Sequence, residues 1–140
     1  MSLHWEPYLA IGVPAVDAQH QELFRRVNGL LEAMHRQRGA AEVERLLEYL
    51  ASYAVEHFRD EERLMAEAAY PAVAAHRREH AQFVQEMDAL VLAFEAEGTS
   101  PAVVVKLNVW LCGWLRRHVS DSDQALGRYL ADLREAGGRS

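Results

Sequence analysis

Apolar residues recur at every third or fourth position along most of this chain, which is the spacing of amphipathic helices that bury one face. The first stripe includes Leu23, Val27, Leu30 and Met34, and comparable stripes follow in later segments. The alternation of apolar and polar residues that is typical of strands is scarce. The periodicity predicts four long helices and a short fifth one, over residues 17–38, 41–68, 72–97, 101–119 and 123–135.

Prolines, glycines and capping residues separate these segments. Asp17 is suited to cap the first helix and Gly39 to follow its end. Ser100 before Pro101 combines a capping side chain with proline at the first helical position. Residues 1–16 lack helical periodicity and contain two prolines, so an extended arm is expected there. The pattern predicts an all-α, up-down-up-down four-helix bundle with an extended N-terminal arm and a short fifth C-terminal helix.

Length and composition indicate one globular domain over residues 1–140. A net charge of -6 argues against nucleic acid as a partner, because phosphate binding requires a basic face. The single cysteine, Cys112, cannot form an internal disulfide and is expected in the core. The sequence shows neither a signal peptide nor an apolar run of about 20 residues. A cytoplasmic protein without a membrane partner is therefore expected.

Polar side chains interrupt the apolar stripes at seven positions. His57 with Glu61, and His76 with His80, are four residues apart and therefore share a helix face. Each buried polar group without a partner costs about 1–3 kcal/mol, so packing alone explains the set poorly. Imidazoles and carboxylates are ligands of first-row transition metals. The predicted metal ligands are His20, His57, Glu61, His76, His80, His118 and Asp123.

His118 and Asp123 do not follow the helical spacing of the other ligands. Five residues along a regular helix turn a side chain well off its starting face. Residues 119–122 are rich in serine and aspartate, which favour caps over helix interiors. We therefore expect a break between the fourth and fifth helices, from which Asp123 enters the site.

The number of ligands indicates two metal ions. Seven ligands exceed the four of a tetrahedral zinc site and suit two octahedral ions bridged by both carboxylates. If an oxo or hydroxo group also bridges the ions, one coordination position stays open. A single open position in an apolar core suits one small molecule, for which dioxygen is the natural candidate.

Four stretches of the sequence resemble the hemerythrin family in its bacterial single-domain form. They are residues 16–20, 57–62, 76–80 and 118–123, and the likeness covers nearly the whole chain. The resemblance implies a four-helix bundle that binds O2 reversibly at a non-haem centre of two iron ions (Fe2+/Fe3+) with a bridging oxo or hydroxo group. It also implies a division of the ligands: one iron held by His76, His80 and His118, the open iron by His20 and His57, and both bridged by Glu61 and Asp123.

Neighbours of the ligands along the helices should line the open position. Trp114 and Leu115 precede His118 by four and three residues, which is about one helical turn. Leu23 and Phe24 follow His20 by three and four residues. These four side chains are the predicted O2 pocket. An apolar wall would exclude water and slow autoxidation of the iron.

Three other functions compete with O2 storage, delivery or scavenging. A ferritin-like di-iron oxidase requires paired Glu-x-x-His motifs, but the chain has one, at Glu32 and His35, which we interpret as surface residues. A zinc hydrolase would use the H-x-x-E-H pattern of residues 76–80 and leave the other ligands without a role. Sensing of O2, redox state or nitric oxide by the same centre is the third.

The expected partners follow from the O2-binding interpretation. The protein is expected to be an oxygen-binding protein rather than an enzyme, and its ligand is dioxygen. A reductase or an O2-consuming enzyme is a possible further partner that the sequence does not identify.

Overall fold

The computed structural model describes residues 3–138, so the first two residues of the predicted arm and the last two of the chain lie outside it. Within these residues there is no strand. The all-α bundle is confirmed. Its helices are α1 (Pro14–His35), α2 (Ala40–Glu67), α3 (Val73–Glu97), α4 (Pro101–Lys106), α5 (Cys112–Arg117) and α6 (Gln124–Gly138).

The fourth long helix of the bundle is built from α4, α5 and α6 in continuous succession. Two π-helical segments, Leu107–Leu111 and His118–Asp123, join them. The predicted cap at its start is confirmed, since the Ser100 side chain accepts a hydrogen bond from the backbone N–H of Val103 at 3.3 Å. The predicted end of this helix at residue 119 is wrong, because the helical backbone runs on into α6.

Helix α1 begins three residues earlier than predicted. Pro14 occupies its first position, where the missing N–H of proline has no cost. Asp17 therefore lies inside the first turn and does not cap the helix. Its carboxylate instead accepts backbone N–H groups of the arm, from Ile11 at 2.7 Å and Gly12 at 3.2 Å. The helix ends at His35, before the predicted residue 38.

The N-terminal arm packs against both the first helix and the last. Leu3 exchanges two backbone hydrogen bonds with the Asn28 side chain on α1, each 2.7 Å long. The Gln124 side chain on α6 donates to the carbonyl of Leu9 at 2.7 Å. Gly127 also touches the arm, because a Cβ atom there would lie 2.7 Å from the Ile11 carbonyl oxygen. The arm therefore crosses from α1 to α6.

The buried apolar faces form a main core and a small second cluster. The main core contains Phe24, Phe58 and Leu115, and it includes Cys112 as predicted. The small cluster consists of Met65, Tyr70 and Leu126. Leu133 is 44% exposed, since the packed face of α6 ends one turn earlier. No helix within residues 3–138 has the length and apolar character required to cross a bilayer.

Candidate metal centre

The seven predicted ligand side chains lie between the two apolar clusters, and none is more than 3% exposed. His80 stacks on Phe58 of the main core, with ring centroids 4.0 Å apart. The ring of His76 packs against that of Tyr70 in the small cluster, with ring centroids 6.5 Å apart. A polar layer thus separates two apolar regions of one bundle. Its members need internal partners, because water does not reach them.

Regular helix geometry positions most of these side chains. Residues four apart on a helix lie one above the other, so His57 and Glu61 project together from α2. His76 and His80 project in the same way from the first turns of α3. His20 enters from the buried stripe of α1.

The π-helical segment His118–Asp123 brings its first and last residues to the same centre. In a π-helix, backbone hydrogen bonds link residues five apart, so one π turn returns the side chain to its starting face. The predicted break in residues 119–122 is therefore wrong. The helix absorbs one extra residue and keeps its continuity, which sequence reasoning did not consider.

The nitrogen and oxygen atoms of the cluster form two groups that share Glu61, and within each group all atoms lie within 4.8 Å of one another. One group contains Glu61 and three histidines, which we call the three-histidine set: His76, His80 and His118. The other contains Glu61, Asp123 and two histidines, which we call the two-histidine set: His20 and His57.

Glu61 presents one oxygen to each histidine set. Its Oε1 lies 2.5 Å from Nε2 of His76 and 3.1 Å from Nε2 of His80. Its Oε2 lies 3.1 Å from Nε2 of His57, on the opposite side. The carboxylate is therefore placed so that two neighbouring cations could share it.

Asp123 repeats this arrangement from the π-helical segment. Its Oδ1 lies 3.0 Å from Nε2 of His76 and 3.4 Å from Nε2 of His118. Its Oδ2 lies 3.0 Å from Nε2 of His20. Both carboxylates thus stand between the two histidine sets.

Hydrogen bonding within residues 3–138 leaves part of the cluster unsatisfied. Buried polar atoms in proteins nearly always have a hydrogen-bond partner. Here both ring nitrogens of His20, Oε2 of Glu61 and both carboxylate oxygens of Asp123 make no hydrogen bond, because even their close contacts with one another and with the other histidines lack hydrogen-bond geometry. Unpaired nitrogen and oxygen atoms that converge in a dry interior are what a transition-metal site requires. The residues present therefore fit a metal centre.

The charges of the cluster also favour cations. Burial opposes protonation of the histidines, but the adjacent Asp123 and Glu61 outweigh it and raise the pKa of His20 to about 9 and that of His76 to about 10. Burial likewise opposes ionisation of Glu61, but hydrogen bonds from the histidines hold its pKa well below the usual range. Protons therefore balance the carboxylates in the metal-free protein, and a bound ion would displace them.

Three histidines are oriented from behind by polar side chains of the preceding helix. Such partners fix the ring nitrogen that faces a metal and raise its basicity. The pairs, measured from Nδ1 to the side-chain oxygen, are His57 with Gln19 at 2.8 Å, His80 with Glu62 at 2.9 Å, and His118 with Glu79 at 3.0 Å.

Sequence reasoning missed these supporting residues. Gln19, Glu62 and Glu79 each stand next to a predicted ligand in the sequence, which is the signal that could have drawn attention to them. Each of them orients a histidine on another helix and not its own neighbour. The pairing depends on how the helices pack, so spacing along the chain does not reveal it.

The four predicted pocket residues are all buried, but they lie beside different parts of the cluster. Trp114 stacks on the ring of His118, with centroids 4.5 Å apart, and so covers the three-histidine set. The ring of Phe24 packs against that of Trp5 of the arm, with ring centroids 5.6 Å apart, and the ring centroids of Trp5 and His20 are 6.3 Å apart. Trp5, which was not predicted as a pocket residue, therefore shields the two-histidine set. Leu23 and Leu115 belong to the main core.

The motifs behind two competing functions are positioned differently from what those functions need. Glu32 and His35 are exposed on α1 and do not join the buried cluster. Glu79 of the H-x-x-E-H pattern accepts hydrogen bonds from Nδ1 of His118 and from Oγ of Ser122. Within residues 3–138, Glu32, His35 and Glu79 belong to neither of the two groups that could hold a metal ion.

Comparison with known proteins identifies the family. The family model described as "Hemerythrin HHE cation binding domain" matches residues 11–130. The chain belongs to the hemerythrin family. Among curated hemerythrin relatives, a bacteriohemerythrin of Stenotrophomonas maltophilia is 34% identical over 123 residues, which cover 88% of this chain and 78% of the relative.

Other hemerythrins extend the match to both the length and the fold of the chain. A bacteriohemerythrin of Campylobacter jejuni is 27% identical over 127 residues, covering 91% of this chain and 94% of the relative. A crystal structure of a wild-type hemerythrin superposes with a TM-score of 0.82 at 28% identity, covering 91% of this chain and 97% of that one. The resemblance noted from the sequence is thereby confirmed at the level of the family.

Proposed function

We propose that this hemerythrin-family protein binds dioxygen reversibly at a non-haem di-iron centre and serves in O2 storage, delivery or scavenging. The observation that carries the proposal is the unequal division of the buried cluster. Two carboxylates stand between a three-histidine set and a two-histidine set. With equal sharing of the carboxylates, the ion beside the two-histidine set has one protein ligand fewer. That ion is the one expected to take a small molecule.

The proposed ligand assignment follows the two sets. The three-histidine set would hold one iron and the two-histidine set the other, and Glu61 and Asp123 would be shared by both, together with an oxo or hydroxo group. Iron in these positions supplies the reversible redox and ligand-binding chemistry that the side chains themselves lack. The protein supplies the ligands, their orientation and the exclusion of water.

Exclusion of water is the task of the aromatic and aliphatic residues around the cluster. Phe24 and Leu23 on α1 and Leu115 on α5 are each no more than 3% exposed. Trp5 covers the two-histidine side from the arm. A dry site slows the loss of bound anions and proton-driven oxidation, because charged species are poorly solvated there. These residues are therefore proposed to favour reversible binding.

The composition of the cluster supports binding rather than catalytic oxidation. Five of its seven residues are histidines and two are carboxylates. The ferritin-like di-iron carboxylate proteins use a glutamate from every helix of their bundle and only two histidines. A ligand set with two carboxylates stabilises high oxidation states of iron less well than one with four, because it carries less negative charge. We therefore propose that the protein is an O2 binder and not an enzyme.

Metal content and the optical spectrum test the proposal together. The purified protein should contain two irons per chain. After anaerobic reduction, admission of O2 should produce an absorption band that disappears again under vacuum. One zinc per chain would favour the hydrolase, and irreversible oxidation with turnover of an added substrate would favour the oxidase.

Two histidine variants sharpen this test. His57→Ala removes a ligand from the two-histidine set, so it should weaken one iron and leave the other bound. His35→Ala is the matched control, because His35 is an exposed histidine on α1 outside the cluster. Its iron content and O2 response should equal those of the unmodified protein. Equal iron content in both variants would contradict the ligand assignment.

The biological setting is proposed from the sequence alone. A cytoplasmic location stays a prediction, which fractionation of cells that express the protein would test. A carrier and a sensor would share the same centre and differ in the partner. Co-purification with a reductase or an O2-consuming enzyme would favour the carrier, whereas a signalling partner would favour the sensor.

A further inference from the structure

One carboxylate outside the ligand set contacts both ends of the π-helical segment His118–Asp123. Glu79, on α3, accepts a hydrogen bond from Nδ1 of His118 at 3.0 Å. Its two oxygens also accept from Oγ of Ser122, at 2.7 Å and 2.9 Å. Glu79 thus holds the first residue of the segment and the residue immediately before Asp123.

The position of Asp123 depends on the conformation of this segment. A π turn is rare and persists where its surroundings favour it. If the segment became regular α-helix, each residue after the lost insertion would rotate by about 100° around the helix axis. Asp123 would then leave the face that it shares with His118. Contacts that bind both ends of the segment to α3 oppose this change.

We propose that Glu79 and Ser122 form a positioning clamp, which keeps the π-helical segment in register so that Asp123 stays between the two histidine sets. Glu79 acts through His118 and Ser122 and is not itself a ligand. The clamp rests on the proposed di-iron function, because the register of Asp123 matters only if Asp123 is shared by two ions.

Loss of the clamp should affect the two metal positions unequally. Without Asp123, the three-histidine set retains three imidazoles and an oxygen of Glu61. The two-histidine set retains two imidazoles and the other oxygen of Glu61. The position beside the two-histidine set therefore loses a larger share of its ligands. A loosened segment should weaken the ion at that position, which we call the second, more than the ion beside the three-histidine set, the first.

A simpler role for Glu79 makes a different prediction. If Glu79 only oriented the ring of His118, its hydrogen bond to Ser122 would not matter. Ser122→Ala removes that bond and leaves the bond between Glu79 and His118 in place. The clamp predicts a weaker second metal position in Ser122→Ala, whereas the simpler role predicts no change.

The test is a titration of the full-length, metal-free protein with Co2+, followed by calorimetry and by the absorption of the bound ion. The unmodified protein should bind two equivalents. Ser122→Ala and Glu79→Gln should each weaken the second equivalent by about 10–100-fold, the usual effect of removing a residue that supports a ligand. Glu79→Gln should also weaken the first equivalent, because Glu79 supports His118 of the three-histidine set. The double variant should be no weaker than Glu79→Gln, because both changes open the same clamp.

Two further variants serve as controls. Ser122→Thr keeps the hydroxyl and should restore the second equivalent. Glu62→Gln removes the comparable carboxylate from His80 but does not touch the π-helical segment. It should weaken the first equivalent and spare the second. Circular dichroism checks folding, and if Glu79→Gln does not fold, the comparison of Ser122→Ala with Ser122→Thr decides alone.

The outcomes separate the clamp from the function on which it rests. A second equivalent that binds Ser122→Ala as tightly as the unmodified protein would overturn the clamp. A single equivalent in the unmodified protein would overturn the di-iron proposal instead, and the clamp with it.

Discussion

Replacement of Gly127 by alanine should push the N-terminal arm away from α6. A Cβ atom at this position would lie 2.7 Å from the carbonyl oxygen of Ile11 and 2.8 Å from its Cβ, roughly 1 Å closer than ordinary van der Waals contact at 3.4–4 Å. The nearest atoms belong to the backbone and Cβ of Ile11, which cannot turn aside as the end of a flexible side chain can. Overpacking of this kind costs about 1–3 kcal/mol.

Gly29→Ala is the matched control for this substitution. Gly29 also lies within a helix, but a Cβ atom there would meet nothing within 4 Å. Alanine should therefore gain only its helix propensity over glycine, about 0.5–1 kcal/mol. The same gain applies at Gly127, so the difference between the two variants isolates the contact with Ile11.

Thermal unfolding of the metal-free protein measures this difference. A change of 1 kcal/mol shifts the Tm of a domain of this size by roughly 4 °C. Gly29→Ala should thus unfold a few degrees above the unmodified protein, and Gly127→Ala about 4–12 °C below Gly29→Ala. Equal Tm values for the two variants would refute the close approach of the arm. Because the arm carries Trp5, the iron-loaded Gly127→Ala protein should also autoxidise faster.

Three other changes probe the cluster itself. The metal-free protein should lose stability as the pH rises through about 9–10. Burial opposes protonation, but Asp123 and Glu61 raise the pKa of His20 to about 9 and that of His76 to about 10. The stabilisation from the two protonated histidines is therefore complete below the ordinary histidine pKa of 6.5 and lost above the raised values. Urea unfolding at pH 7 and pH 10 measures this, and equal stability at both would contradict it. Glu61→Ala and Asp123→Ala should each remove a ligand from both ions and weaken the ion beside the two-histidine set more, as metal analysis would show. Two ions bound as tightly in Glu61→Ala as in the unmodified protein would exclude its bridging position. Leu115→Tyr should retain two irons but autoxidise faster, because it brings a hydroxyl into an apolar wall; an unchanged rate would place the pocket elsewhere.

Local periodicity was sufficient to predict the helices and the faces that they bury. An apolar side chain every three or four residues leaves few alternatives to a packed helical stripe, and His57 with Glu61 shares that stripe by the same geometry. Errors arose where a local signal had two meanings. Pro14 was interpreted as an interruption although proline also begins helices. The residues after His118 were interpreted as a break although they form a π turn.

Contacts between helices were decided by the tertiary structure alone. The sequence predicts which face His118 and Glu79 occupy, but their hydrogen bond depends on the rotation and axial shift of α3 against the fourth helix. The same holds for Trp5, which reaches His20 only because the arm folds back over the bundle. A helical period specifies directions around one axis. Distances between axes arise when all the buried side chains pack at once, and no single segment encodes them.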